Sequence, residues 1–441
     1  MTSPYTPRTY LSKTFTRSPV HAIHGLVATN HPQASEIGLR ILKQGGNATD
    51  AAIAIAATLA CMGGDCFLLH YDAATKKVSA LNGSGRSAQA LTLEQARKDC
   101  PGQAAFALDN VHAITVPGAV AGWVDAVDAW GSLTIDQVLR PAIDLAKSGF
   151  PVSTQTAVAW KRGYDLAQHT STFVDPIKVS YEGVDVYEVP PNGQGITALM
   201  ALNLLKQVDG DDWKQQHNSA QYLHTLIEVL RLAFLDTRWF VTDPTFEHVP
   251  VAELLSDEYA KARIALVHPD KVFIPIFGLI PQGVGFTLQN RGANFSLQHG
   301  HPNVFAPGKR PYHTIIPALA LYSDSQLLHS TFTVMGGFMQ PQGHVQVLLN
   351  QLLFHMDPQA ALDVPRFCIG TSEGDFSYVY VEPGVDEAVV EALRLKGHAI
   401  RVLDTTQVST VGRGQIITKN PRNGVLCAGS DGRGDGLPMG W

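Results

Sequence analysis

Val334-Met335-Gly336-Gly337-Phe338-Met339 is the stretch of this chain best suited to chemistry. A strand-like run from Leu327 to Val334 stops at the glycine pair, and an apolar helical pattern follows through Val345, Val347, Leu348, Leu352 and Leu353. Two glycines at a strand end present backbone N–H groups with no side chain in front of them, which suits a developing oxyanion. The same dipeptide also serves as an ordinary tight turn. Arg86, in Gly83-Ser84-Gly85-Arg86, reads on its own as a solvated loop arginine.

Other reactive-looking patterns carry less. Seventeen histidines are scattered without a His-Glu-x-x-His, so metal-assisted hydrolysis is poorly supported and no metal or cofactor is expected. His224 and Glu228 share a helix face, the usual sign of a plain i,i+4 pair. Ser430, in Ala428-Gly429-Ser430-Asp431-Gly432, imitates a nucleophile elbow but lacks the first glycine. Asp431 and Asp435 lack the other ligands of a calcium loop, and Arg433-Gly434-Asp435 is a three-residue match that coincidence explains. Cys61 and Cys66 read as buried small residues, and an odd total of five cysteines suits reduced thiols.

The elements that must position these groups follow from periodicity. Residues 33–43 form an amphipathic helical pattern stopped by Gly45-Gly46, and Asn47 to Asp50 can cap a second, buried helix over Ala51 to Met62. Cys66–Tyr71 with Lys77–Leu81, Ile315–Tyr322 with Leu327–Val334, and Gly414–Thr418 with Val425–Ala428 read as hairpins. Pro190-Pro191-Asn192-Gly193-Gln194-Gly195 is a loop feeding a helix from Ile196, in a mostly helical middle third that resumes at Tyr222–Thr237. A further helix, Val385–Lys396, ends at Gly397. Strand-rich ends around a helical middle suit an α+β sandwich with helices on both faces of stacked antiparallel sheets.

With 441 residues, 45% hydrophobic and 16% charged, the chain can bury a large core. A net charge of −6 without any Lys/Arg run argues against nucleic acid and anionic membranes as partners. Residues 1–21 are polar and basic (Arg8, Lys13, Arg17) without an apolar core, and the apolar run Ala51–Met62 is too short to span a bilayer. A soluble, cytoplasmic protein without a membrane anchor is expected, of open oligomeric state.

An ordered series of motifs resembles the γ-glutamyltranspeptidases. It comprises His31-Pro32-Gln33-Ala34-Ser35, Gly45-Gly46-Asn47-Ala48-Thr49-Asp50-Ala51-Ala52, Gly63-Gly64-Asp65-Cys66-Phe67 and Val116-Pro117-Gly118. It continues through Pro190 to Gly195, Pro307-Gly308-Lys309-Arg310-Pro311, Gly336-Gly337, Pro365-Arg366-Phe367 and Gly429-Ser430-Asp431. The resemblance runs from about His24 to the end and implies one domain: a polar extension over 1–23, a large-subunit-like part over 24–271 and a small-subunit-like part over 278–441. It implies the four-layer αββα fold of the N-terminal-nucleophile hydrolases, here incomplete. It also implies a precursor that cuts itself to expose an N-terminal threonine, which attacks a γ-glutamyl amide through an acyl-enzyme. By the resemblance, Gly336 and Gly337 match the oxyanion pair and Arg86 the carboxylate-gripping arginine.

The chain departs from that pattern at three joins. Lys271-Val272-Phe273-Ile274-Pro275-Ile276-Phe277-Gly278 passes from the subunit junction almost directly to a later Phe-Gly, with no threonine between Thr245 and Thr287. Similar abrupt joins fall between Leu59 and Gly63 and around Trp160 to Leu166. Missing pieces, as in an alternative transcript or faulty gene assembly, are the expectation, with divergence and relocated parts as the alternative. No nucleophile is found, so impaired or absent catalysis is expected. Tyr312-His313-Thr314 stands where family members carry paired serines, and Ala293-Asn294 stands where an acidic pair would hold the substrate α-amino group. A neutral acceptor holds that cation less tightly, by about 1 kcal/mol. The Tyr-His-Thr pocket resembles a branch that cleaves other small amides such as oxamate. The readings are thus a γ-glutamyl or related small-amide hydrolase, or a non-catalytic relative that binds a small acidic ligand.

Overall fold

A computed structural model describes residues 17–59, 64–107, 110–148, 171–272, 291–370, 376–404 and 407–441. Cys61, Gly63, Thr287, most of residues 1–23, and residues 60–63, 160–166 and 273–278 of the three joins lie outside the described residues.

The N-terminal part opens with strands β1 (Val20–Ala22) and β2 (Leu26–Thr29), then helices α1 (Pro32–Lys43) and α2 (Ala48–Leu59). The α2 cap is reciprocal: Asn47 Oδ1 accepts from the Thr49 N–H at 2.9 Å, and Asp50 Oδ2 accepts from the Asn47 N–H at 2.9 Å. Against expectation α2 is not buried all round. Ala52 is exposed, and the buried side is Thr49, Asp50, Ala51, Ile53 and Ala54. Hairpin β3 (Cys66–Asp72)–β4 (Lys77–Gly83) follows, then α3 (Leu93–Asp99), α4 (Ala119–Trp130) and α5 (Ile135–Ser148).

The middle third holds a feature the sequence reading missed. Strands β5 (Thr172–Val174), β6 (Ile177–Tyr181) and β7 (Val184–Glu188) precede the helices α6 (Gly195–Leu205), α7 (Ala220–Phe240), α8 (Val251–Leu254) and α9 (Asp257–Ile264). Strand β7 pairs with β8 (Ala318–Tyr322), so a segment taken for part of a helical region extends the main sheet. The remaining elements are β9 (Leu328–Met335), α10 (Met339–Leu352), α11 (Pro358–Asp363), β10 (Phe367–Ile369), β11 (Val379–Val381), α12 (Glu387–Leu395), β12 (Ile400–Val402), β13 (Arg413–Lys419), β14 (Leu426–Ser430) and β15 (Leu437–Gly440).

Seven strands form one antiparallel sheet in the order β1-β14-β13-β9-β8-β7-β6. Its strands alternate faces, as a two-residue period requires. One face, with Val184, Val186, Ala318, Ala320, Phe332, Val334 and Ile416, packs on α6, α7 and α10 in the largest core. Every residue of α6 is buried, which explains its uniformly apolar sequence. The other face, through Leu319 and Leu321, meets Leu69, Tyr71 and Val78 of the β3–β4 hairpin. That hairpin turns Cys66, Leu68 and Leu81 outward onto α1, α2, α4 and α5. The layers are therefore helix, sheet, sheet, helix.

Among the described residues the two sheets are unequal: against seven strands, β3-β4-β5 supplies three. On the face turned toward the smaller sheet, Met335 is 48% exposed and Thr333 is also exposed. A small sheet β10-β11-β12, whose β11–β12 pair is parallel, and the pair β15-β2 complete the described strands. Among the described residues, no helix is long and apolar enough to cross a membrane, and no group of three or more His, Cys, Asp or Glu is placed to hold a metal.

Candidate functional site

Strand β9 ends where the sequence places its glycine pair. Gly336 has φ of 138° and Gly337 φ of 62°, both in the region that side chains disfavour. A Cβ on Gly336 would stand 3.0 Å from that of Met339, so a side chain there would also crowd the first turn of α10. The carbonyls of the pair accept from Met339 and Gln340 in the first turn of α10, whereas neither glycine N–H has an acceptor among the described residues. Two unengaged amides at a helix N-terminus form a concentration of positive partial charge.

The segment from Gly308 to Thr314 links this turn to Arg86. At one end, Arg86 Nη1 donates to the Gly308 carbonyl at 3.1 Å and lies 3.5 Å from Asp243 Oδ2. Asp243 is itself held by the Arg310 N–H at 2.8 Å and by the backbone N–H and hydroxyl of Thr245. The Arg86 side chain is 32% exposed, so a solute can reach it. Its loop needs glycine at position 85, because a Cβ there would lie 2.1 Å from the Val116 carbonyl oxygen.

At the other end, Gln194 ties three groups together. Its Nε2 donates to the carbonyls of Thr314 (3.0 Å) and Gly337 (2.9 Å), and its Oε1 accepts from the Tyr312 hydroxyl at 2.9 Å. The Tyr312 ring stacks on Phe338, the residue after the glycine pair, and burial pushes its phenol above its ordinary range. Arg238 lies over the rings of Phe338 and Phe376, 5.0 Å and 4.4 Å from their centroids. The Gly308–Thr314 segment is pinned to the Pro190–Gly195 loop by the His313 N–H to Asn192 and the Gln194 N–H to His313.

The sequence candidates fall into three groups. Gly336, Gly337, Tyr312 and Thr314 come together around Gln194. Arg86 stands at the far end of the same segment. Asn294 is joined to it by Nδ2 donating to the Tyr312 carbonyl at 2.7 Å, which assigns the amide and leaves Oδ1 as the acceptor. His313 turns away from both ends. Its Nδ1 accepts from the Ile315 N–H at 3.0 Å, so Nε2 carries the proton and donates to Asp65 Oδ2 at 2.7 Å. Both ring nitrogens are occupied, and burial lowers its pKa. His313 thus braces the segment and is unfit as a general base.

Sequence reasoning gave no role to Gln194, Asp65, Asp243 or Arg238. Gln194 and Asp65 lay inside quoted motifs, but only their partners distinguish them from loop residues. The patterns set aside as coincidence are structural. Arg433 is buried, with Nε and Nη2 on the Glu382 carboxylate and Nη1 on Asp431, while Arg366 donates to Asp431 Oδ2 at 2.6 Å. Ser430 is fully buried in β14. His224 and Glu228 turn to His398 and Arg231.

The resemblance places its attacking threonine at the junction between the two halves. Residues 257–286 contain no Ser, Thr or Cys. Thr314 has a buried Oγ1 without a hydrogen-bond partner among the described residues, but a mid-chain threonine has no α-amine to take its proton.

The family model for γ-glutamyltranspeptidase matches residues 34–164, 162–276 and 277–441, and its two breaks fall at two of the three joins. The chain is 30% identical to the glutathione hydrolase-like YwrD proenzyme of Bacillus subtilis, covering 94% of this chain and 98% of that protein. It is 26% identical to the oxamate amidohydrolase proenzyme of Klebsiella pneumoniae, covering 95% and 98% respectively. The first alignment spans 525 positions, more than the 441 residues available, so at least 84 positions have no residue of this chain. A cephalosporin acylase from Bacillus halodurans superposes with a TM-score of 0.85 at 32% identity, with 99% of each chain covered.

Proposed function

The chain belongs to the γ-glutamyltranspeptidase family, and from that premise we propose that it keeps the family's ligand cradle without its attacking group. It binds a small carboxylate-bearing amide and does not cleave it. The observation that carries this reading is the run 257–286, which contains no Ser, Thr or Cys, across the family break at 276/277.

In the parent reaction an N-terminal threonine hydroxyl gives its proton to its own amine and adds to the amide carbonyl. The resulting oxyanion is stabilised by paired N–H groups. Here Gly336 and Gly337 supply those amides, and Arg86 holds the ligand carboxylate. Asn294 offers its Oδ1 to a polar hydrogen. Tyr312 and Thr314 wall the cradle, and His313 holds the wall from behind. Residues 24–271 and 278–441 correspond to the two subunits of a processed relative, joined here as one polypeptide. Asn294 and Tyr312-His313-Thr314 favour a small amide of the oxamate type over a γ-glutamyl amide, because no carboxylate in that set grips an α-ammonium.

The test is titration calorimetry with oxamate and with glutamine. Saturable binding of oxamate is expected, weakened about tenfold or more by Arg86→Ala, the scale of a lost charge-assisted contact. Lack of binding, or binding indifferent to Arg86, contradicts the cradle. Release of ammonia from oxamate contradicts the missing nucleophile.

A further inference from the structure

The described chain approaching the 276/277 break ends at His268-Pro269-Asp270-Lys271-Val272, and this stretch is held by a directed run of hydrogen bonds. His224 Nε2 lies 2.8 Å from the His268 carbonyl oxygen. A carbonyl only accepts, so Nε2 carries the proton and His224 Nδ1 is a lone pair. His398 Nε2, 2.8 Å from that Nδ1, must therefore be the donor, which leaves His398 Nδ1 as an acceptor. It faces Arg231 Nη1 at 3.3 Å, and the guanidinium is itself fixed by Glu228 Oε1 at 2.9 Å. Every link runs one way, from Arg231 to the His268 carbonyl, and only with both imidazoles neutral. A proton on either ring puts two donors face to face.

The surroundings reinforce neutrality. From α7 the facing charged groups are Arg231 and Glu228, and from the turn after α12 they are Lys396 and His398. The held segment brings Asp270 and the imidazole of His268, whose Nδ1 accepts from the Asp270 N–H. Lys396 Nζ also reaches the Pro269 carbonyl (2.6 Å) and Asp270 Oδ1 (3.0 Å). Burial first, then Arg231, holds His398 at about 3, and burial lowers His224 despite the pull of Asp270.

We propose that Arg231, His398 and His224 form an acid-released latch that fastens segment 268–272 to α7 and, through His398, to the turn after α12. The sign follows from linkage. Both imidazoles are depressed while the latch is closed and return toward about 6.5 when it opens, so protons favour the open form. The segment is held above about pH 6.5 and is released progressively below it, before the core unfolds.

Amide hydrogen exchange of the full chain at pH 7.5 and 5.0, corrected for intrinsic exchange, tests this. Protection of 268–272 should fall about tenfold or more at pH 5.0, while α6 keeps its protection. The variant H224Q/H398Q keeps neutral donors and acceptors and should show the same protection at both pH values. Should that variant fail to fold, His224→Gln alone must at least halve the logarithm of the response. A pH-independent segment in the unmodified chain, or an undiminished response in these variants, overturns the latch.

Discussion

Gln194 makes three contacts with one amide, and no other common side chain reproduces them. It needs two donor hydrogens for the Thr314 and Gly337 carbonyls and an acceptor for the Tyr312 hydroxyl. Gln194→Ala removes the donor to the Thr314 carbonyl, one of the two donors to the Gly337 carbonyl and the acceptor of the Tyr312 hydroxyl, and each buried group left unsatisfied costs about 1–3 kcal/mol. Relaxation will recover part of this, so a destabilisation of about 2–4 kcal/mol is expected in urea unfolding. Gln194→Glu should be at least as damaging, because a carboxylate cannot donate to two carbonyls. A variant within about 0.5 kcal/mol of the parent chain contradicts the assigned role. The contrast with Gly336-Gly337 shows what a sequence exposes. A glycine pair at a strand end announces its backbone conformation through residue type. A glutamine in a Pro/Gly-rich loop announces nothing, because its importance lies in partners more than 100 residues away in sequence.

Among the elements, strands β13 and β14 are pinned to β10, β11 and α11 by a buried ionic group. Asp431 accepts from Arg366, from Arg433 and from the Gly414 N–H, and Glu382 closes the far side of Arg433. Burial opposes ionisation of Asp431, but Arg366 and Arg433 outweigh it and hold its pKa at about 2. A depressed carboxylate stabilises the fold above its unfolded value near 3.8 and loses that contribution as pH falls through about 2. Asp431→Asn leaves Arg366 buried without its charge partner and should cost about 3–5 kcal/mol. It should also flatten the acid limb of a stability–pH profile between about pH 4 and 2. An unchanged acid limb would show that Asp431 is not the titrating group.

The hairpins, α1 and the α12 region were legible because their alternation or helical period is strong and their turns carry Asp, Asn or Gly. Strands β6 and β7 were not. The run Ile177–Glu188 mixes Lys, Ser, Asp and Glu with its valines, since one face carries the polar Asp185 cluster with Lys178, Ser180 and Ser323. The α2 burial was overestimated for a related reason. Alanine and isoleucine on every face satisfy a buried helix, but also a helix half covered by small side chains.

For the whole molecule, seven strands face three among the described residues. A sandwich needs both inner faces covered, and Met335 and Thr333 lie open on the larger sheet. Self-association and binding of an apolar-sensing dye to the native chain are therefore expected, rising with concentration. A sharp, reversible melt with no dye signal would mean that the smaller sheet covers its partner after all.

Intact-mass spectrometry of the purified chain after prolonged incubation, paired with an assay for release of amine or ammonia from small amides, tests the account most directly. It predicts a single uncut mass and no release above buffer. Two masses summing to the whole, with a threonine at the new N-terminus and turnover to match, would contradict it.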